Sequence, residues 1–169
     1  LSTGNYNAAT SRAYTDLAVM TNKIEIGIDA RKFFDAVFQQ QTPSQFQTLV
    51  MAPTRLHKRI VTLIEQETAA ALEGKSAKIF AKVNALVDKD IIAKLYTASQ
   101  AGVRIEHLVR GACSLVPQVQ GLSENIRVFS IVDKYLEHSR IYYFEHSNVM
   151  YLSSADWMPR NFFSRLEIA

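Results

Sequence analysis

The feature that most constrains this chain is that its two ends repeat each other. Residues 1–18, LSTGNYNAATSRAYTDLA, align without a gap onto residues 152–169, LSSADWMPRNFFSRLEIA. Leu1, Ser2 and Ala18 recur as Leu152, Ser153 and Ala169, while Thr3, Gly4, Asn5, Tyr6, Asp16 and Leu17 are answered by Ser154, Ala155, Asp156, Trp157, Glu167 and Ile168. The likenesses concentrate in a polar S-[ST]-[GA]-[ND]-aromatic signature and in an acidic–apolar strand that follows it. Identities are few, so chance is the alternative. Self-similarity at one spacing of about a domain's length nevertheless points to two homologous modules. On that reading residues 1–44 are the tail of a first module whose front lies upstream, and residues 45–169 form a nearly whole second one.

Hydrophobic periodicity fills in the elements. Ile24, Ile28, Phe33, Phe34, Val37 and Phe38 recur at helical spacing from Lys23 to Gln40, and a boundary is expected near Thr42 to Gln45. Gln47 to Ala52 reads as a buried strand, and Pro53-Thr54 opens a long helix that Gly74 ends. Ile79 to Asn84 alternates as a strand. Asp88 is placed to cap a helix running through Ser99, with Gly102 where a left-handed residue is wanted, and Val103 to Val109 is the next strand. Strands alternating with helices imply crossover units and a partly parallel sheet covered on both faces. The last third, with IRVFSIVDKY, RIYYFEH and VMYLSS, is β-rich, so the expected class is an α/β sandwich with a mixed sheet.

Composition narrows the function classes. Nineteen Lys and Arg against sixteen Asp and Glu give a formal charge of +3, mild enough to suit an anionic ligand without the long basic run of a nucleic-acid tail. No apolar run approaches the length needed to cross a bilayer, and the first residues lack the features of a secretory signal. The single cysteine, Cys113, has no internal disulfide partner and no zinc-type spacing, which makes a reducing, cytoplasmic compartment the default. No Walker loop is visible, because GKS at Gly74 lacks the earlier glycine and the preceding strand.

Chemistry concentrates in Tyr135-Leu136-Glu137-His138-Ser139-Arg140. If this is a strand, His138 and Arg140 share a face, and a following hairpin can return Ser154 and Asp156 beside them. An imidazole, a fixed cation and hydroxyls are what phosphoryl chemistry wants around an anion. A hydrogen-bonded strand histidine is the bland alternative for His138. Lys82 and Asn84 share a strand face, but a strand lysine is usually solvated, and both stay outside the main site. His57, His107 and His146 have no metal-like spacing, and Tyr142, Tyr143 and Phe144 read as packing.

The order H-x-[KR], then about fifteen residues, then S-[ST]-x-[ND], resembles the phospholipase D superfamily, in which two modules each give a histidine to one site. More narrowly, STGNYN, YTDLAVMT, LVRGACSLVP, ENIRVFSIVDKYLEHSRIYYF and YLSSADWMPRN resemble polyphosphate kinase segments in that family's order, across essentially the whole chain. The resemblance implies a phospholipase-D-like α/β/α sandwich with a mixed β-sheet. It implies a phosphotransferase using ATP/ADP and polyphosphate with Mg2+, whose ligands lie upstream, acting through a phosphohistidine in the first module. The repeat's spacing puts that histidine about a dozen residues before Leu1. By resemblance His138 is the second active-site histidine, Arg110 binds nucleotide phosphates and Tyr14 lies near the nucleotide. The repeat pairs Tyr14 with Arg165, making Arg165 a secondary phosphate-binding candidate whose bland alternative is an ion pair with Glu167. The family also implies a homo-oligomer in the full-length protein, no nucleic-acid partner, and a cytoplasmic location with peripheral membrane association as a variant.

Ser139-Arg140 departs from the x-Lys usual in phospholipase D, which speaks against the alternative of a phospholipase D or nuclease-like phosphodiesterase. A non-catalytic phosphate-binding module is the third reading. The isolated chain, lacking the nucleophile, is expected to turn over nothing.

Overall fold

A computed structural model describes residues 1–42 and 46–169. The expected boundary near Thr42 to Gln45 falls largely on residues 43–45, which lie outside the described residues. A five-stranded mixed sheet organises the chain from Lys78 to Ser153. Its strands are β3 (Lys78–Val83), β4 (Arg104–Val109), β5 (Ile126–Phe129), β7 (Arg140–Phe144) and β8 (Val149–Ser153), in the order β5-β4-β3-β7-β8. β3, β4 and β5 run parallel, while β7 pairs antiparallel with both β3 and β8. The mixed-sheet α/β class expected from the sequence is therefore present.

Helices α2 (Leu56–Leu72) and α3 (Lys89–Gln100) follow from their sequence signals. Asp88 accepts a hydrogen bond from the Ile91 amide at 3.0 Å, capping α3 as its type and place require. Gly102, just beyond the helix, has φ +97°, the left-handed backbone that glycine adopts without steric cost. Both helices pack into one core with alternate strand residues: Ile60, Leu63 and Ile64 of α2 and Ile91 and Leu95 of α3 meet Ile79, Ala81, Ile105, Tyr142 and Phe144, all buried. Coverage of both sheet faces was expected, but among the described residues α2 and α3 lie on the same face. Phe80, Leu108, Ile141 and Tyr143 on the other face are only half-buried.

Two elements are shorter than their sequence patterns. The strand expected over Gln47 to Ala52 reduces to β2 (Met51–Ala52), which pairs antiparallel with β9 (Glu167–Ile168) rather than joining the main sheet. Its upstream residues are held differently: Asp29, inside α1 (Ile24–Phe38), accepts hydrogen bonds from the amides of Gln47, Thr48 and Leu49 at 2.7–3.1 Å. Burial pushes the pKa of Asp29 up, but these amides and nearby Lys32 overcome it and hold the pKa below the usual value. Backbone amides that a ladder would have used are thus satisfied by one buried carboxylate. That carboxylate ties α1 to the segment leading into β2, although Ile24, Phe34 and Phe38 of α1 are exposed.

The other departure is at the key segment. Leu136–Glu137 is a separate strand, β6, parallel to β1 (Tyr14–Thr15), and the ladder resumes only at Arg140. The chain changes sheets at His138 and Ser139, whose amides both donate to the Thr15 carbonyl, at 3.1 and 3.0 Å.

Candidate functional site

The carboxyl ends of parallel strands are where open α/β sheets bind ligands. Here Asn84 follows β3 directly and Arg110 follows β4 directly. Gly111 comes next, and its amide donates to the Asn84 carbonyl at 2.8 Å. A β-carbon at Gly111 would stand 2.9 Å from that carbonyl oxygen, so only glycine lets the two strand ends come this close. The hairpin of β7 and β8 pairs Arg140 with Ser153, returning the Ser-Ser-Ala-Asp segment beside His138 and Arg140 as the sequence reading required. The segment is then pinned across the end of β3: the Trp157 amide donates to Ala85, and its carbonyl accepts from Val87 and Asp88.

Within this frame Arg140 does something other than expected. It was read as a cation for a ligand's oxygens, yet it is buried and grips Asp156 in a bidentate pair, Nε to Oδ1 at 3.2 Å and Nη2 to Oδ2 at 3.1 Å. The anion between the guanidinium and the serine–aspartate segment is thus the protein's own Asp156, which also accepts the Asn84 amide at 2.7 Å. Arg140 is a brace. A buried charge needs a partner and full hydrogen bonding, and Asp156 supplies both.

His138 lies against this brace. The Arg140 Nη1 atom is 3.1 Å from Nε2 and 3.3 Å from Nδ1 of the imidazole. Nη1 carries two hydrogens, and two carbonyls, Thr3 at 2.9 Å and His138 at 3.0 Å, are placed to accept them. The approach to the ring is therefore a close electrostatic contact, and the imidazole's real partner is Asp16 Oδ1, 2.9 Å from Nδ1. A carboxylate accepts, so Nδ1 is the nitrogen that donates to Asp16, and Nε2 is the one turned away from it. The ring of Tyr14 lies beside the imidazole, with centroids 4.9 Å apart.

Tyr14, Thr3 and Asp16 come from the first segment and His138 from the second, so the group joins the two. Their arrangement repeats with the sequence. The Thr3 amide donates to Leu17 O at 3.0 Å, as the Ser154 amide does to Ile168 O at 3.1 Å. The Thr3 hydroxyl donates to Asp16 at 2.8 Å, as Ser154 does to Glu167 at 2.5 Å. The Leu17 and Ile168 amides return bonds to those hydroxyls at 3.0 and 3.2 Å, and the Gly4 and Ala155 amides bond the preceding serine hydroxyls at 3.2 and 3.0 Å. Four kinds of bond recurring in register argue against chance.

Residues of known-family profiles match the same two stretches: the polyphosphate kinase C-terminal domain 1 profile covers residues 1–43 and the C-terminal domain 2 profile residues 49–169. The chain belongs to the polyphosphate kinase family. It is 48% identical over 170 residues to a polyphosphate kinase of Exiguobacterium sibiricum and 52% identical over 169 residues to one of Helicobacter pylori. Each alignment covers 99% of this chain and 24% of the relative, so the chain spans about a quarter of those proteins' length. A crystal structure of polyphosphate kinase from Porphyromonas gingivalis superposes with a TM-score of 0.91 at 42% identity, over 99% of this chain and 26% of that one.

Of the residues read from sequence, Tyr14 and His138 come together in this polyphosphate kinase segment, and Arg110 joins them through Asn84. Arg110 Nε donates to Asn84 Oδ1 at 2.9 Å, while Asn84 Nδ2 points to the His138 carbonyl at 3.5 Å. The outer Arg110 nitrogens make no hydrogen bond among the described residues, so the fork stays open to a ligand. Arg165 is exposed in the turn before β9 and bonds none of this group. Its expected alternative, an ion pair with Glu167, is absent too, because Ser154 and Asn161 take that carboxylate at 2.5 Å each. Lys82 is engaged by Glu137 at 2.7 Å and by Ser139. The hydrogen bond from Lys82 holds the Glu137 carboxyl below its usual pKa. Asp16 is the member that sequence reasoning missed, and its signal was in the repeat, as the counterpart of Glu167. Asn84 shares a strand face with Lys82 and by sequence stays outside the main site, whereas the structure puts it inside.

Among the described residues no three His, Cys, Asp or Glu side chains group as a metal site. Nor is any described helix long and apolar enough to cross a membrane.

Proposed function

We propose that this chain is the part of a polyphosphate kinase that supplies the second histidine of a two-histidine, phospholipase-D-like site. In this reading residues 1–44 end a first module and residues 45–169 form the second. The terminal phosphoryl group of ATP passes reversibly to the end of a polyphosphate chain through a phosphohistidine, and the nucleophilic histidine lies upstream of Leu1. The observation that carries the reading is the bond from His138 of one module to Asp16 of the other, set in a hydrogen-bond pattern that occurs twice.

The roles follow from that pattern. Asp16 fixes the imidazole with Nε2 free, so His138 contacts the transferring phosphate and moves its proton, a service worth roughly 10²–10⁴ in rate. Arg110 offers two outer nitrogens to a phosphate in a bidentate fork, and Tyr14 walls the imidazole on the nucleotide side. Glu167 holds the place of Asp16 in the second copy, and we assign it to the upstream histidine. Arg165, in the place of Tyr14, then faces the phosphate on that histidine. Magnesium belongs to the reading, but the described residues provide no group of ligands for it, and its ligands are assigned outside this chain.

The test is His138→Ala in the longer protein. Polyphosphate synthesis from ATP falls by roughly 10²–10⁴ while the melting temperature holds. Unimpaired synthesis ends the proposal. So does phosphate incorporated on histidine by the isolated chain from γ-labelled ATP, because its nucleophile is assigned elsewhere.

A further inference from the structure

A second cationic feature, sharing no lining residue with the His138 group, runs along α2. One depression of about 570 Å3 is lined by Lys32, Phe46, Gln47 and Arg55. A second, of about 450 Å3, shares Phe46, Gln47 and Arg55 with it and adds Lys58, Arg59 and Tyr151. A third, of about 500 Å3, shares Arg59 and reaches Lys75 and His146 near the far end of the helix. Arg55 and Arg59, each lining two of the hollows, set the three in a row along α2, a groove broken by their side chains and about 25 Å long by the length of the helix.

The charge of the groove is one-sided. Among the described residues no carboxylate lines the first two hollows, although Lys32 lies near the buried Asp29, and the only one lining the third, Glu73, is held by Lys75 at 2.6 Å. Other surface cations differ: Lys78 meets Glu106 at 2.9 Å and Lys94 meets Glu65 at 2.6 Å, whereas Arg165 is exposed with no ion pair among the described residues. Arg55 and Lys58 make no ion pair or side-chain hydrogen bond among the described residues. Their positions are unfavourable in themselves, because they stand at the start of α2, where the helix dipole disfavours cations, and the first turn carries no acid. Arg59 is aimed by Tyr151, whose hydroxyl accepts from its Nε at 3.0 Å. Cations gathered against their local preference, along a row of neighbouring hollows, call for a linear polyanion rather than a compact one.

We infer that this groove binds a stretch of linear inorganic polyphosphate outside the His138 group, holding the chain whose end is worked on in the site. The inference rests on the polyphosphate kinase reading for the identity of its ligand. It assigns Arg55, Lys58 and Arg59 to the length of the chain and no part in phosphoryl transfer.

The experiment compares the longer protein with its Arg55→Glu/Lys58→Glu and Arg55→Lys/Lys58→Arg variants, using long-chain sodium polyphosphate, tripolyphosphate and single-stranded RNA as probes. Charge reversal is expected to weaken long-chain binding about tenfold or more and to flatten its salt dependence, as loss of phosphate contacts does. Tripolyphosphate binding and kcat/KM for ATP stay as in the parent, and the charge-conserving variant binds like the parent. Unchanged long-chain affinity overturns the inference. Equal weakening of long and short chains overturns it as well, and so does a loss confined to RNA, which assigns the groove to nucleic acid. A parent protein that binds long chains through Arg55 and Lys58 yet makes no polyphosphate from ATP sinks the functional reading and leaves the groove standing.

Discussion

The two copies of the signature, Leu1–Ala18 and Leu152–Ala169, make the same backbone and hydroxyl bonds and live in opposite surroundings. In the second copy Ser153, Ala155, Asp156 and Trp157 are buried, and Trp157 is among the largest fully buried side chains. In the first, Asn5 is exposed, Tyr6 is 89% exposed and Leu17 45%. The hydrogen-bond motif is therefore written locally, in the hydroxyl, the small residue and the acidic residue. Burial is not, because it depends on a sheet and helices that the second copy has beside it and the first does not. The aromatic of the signature shows the division most clearly: Trp157 packs against Tyr142 and His107, with ring centroids 5.4 Å away in each case.

Mutating that aromatic in each copy gives the largest expected contrast. Trp157→Ala should cost about 3–5 kcal/mol, the usual loss for an emptied aromatic core site. Tyr6→Ala should stay within about 0.5 kcal/mol, as exposed substitutions do. Urea unfolding of the chain measures both, and comparable losses at the two positions would break the comparison.

Acid should sharpen it. His107 lies under Trp157, fully buried; burial pushes its pKa down to about 4, only partly offset by the backbone of Ala81 and Glu106, and neither ring nitrogen makes a well-formed hydrogen bond. The unfolded imidazole takes a proton near pH 6.5, which the folded one refuses until about pH 4. Stability is therefore lost as pH falls through that window, by about 3 kcal/mol across it. His107→Phe, which keeps the ring, should remove most of that loss. If urea midpoints of parent and variant fall equally between pH 7 and pH 4.5, the buried imidazole is not the cause.

How far this was legible in the sequence follows the same division. Periodicity and end signals marked α1, α2, α3, β3 and β4, because caps and alternating faces act within a few residues. The Thr3–Asp16 and Ser154–Glu167 partnership was visible as a repeat. What could not be read was where charges would meet. Arg140 looked like a ligand-binding cation because the hairpin that brings Asp156 beside it does not reveal that the carboxylate itself takes the guanidinium. Asn84 reads with Lys82 as part of a solvated strand face, although topology makes it the link between Arg110, Asp156 and His138. The strand through His138 failed for a related reason: Leu136 and Glu137 are captured by Tyr14 and Thr15, more than a hundred residues earlier.

The smallest contrast is also the most informative about the site. Ser154→Ala and Thr3→Val each remove a hydroxyl that donates to a carboxylate and accepts from a backbone amide. Glu167 is buried, and losing Ser154 leaves it and the Ile168 amide short of a partner, at a cost of about 1–2 kcal/mol. Asp16 is open enough for water to replace Thr3, so Thr3→Val should cost about 0.5–1 kcal/mol. The stability difference is small, but Asp16 would then be held mainly by His138. In the longer protein Thr3→Val should therefore change the pH profile of polyphosphate synthesis out of proportion to its effect on unfolding. A profile that stays put while stability drops would mean that Thr3 serves only the packing of the first copy, and that Asp16 orients the imidazole without its help.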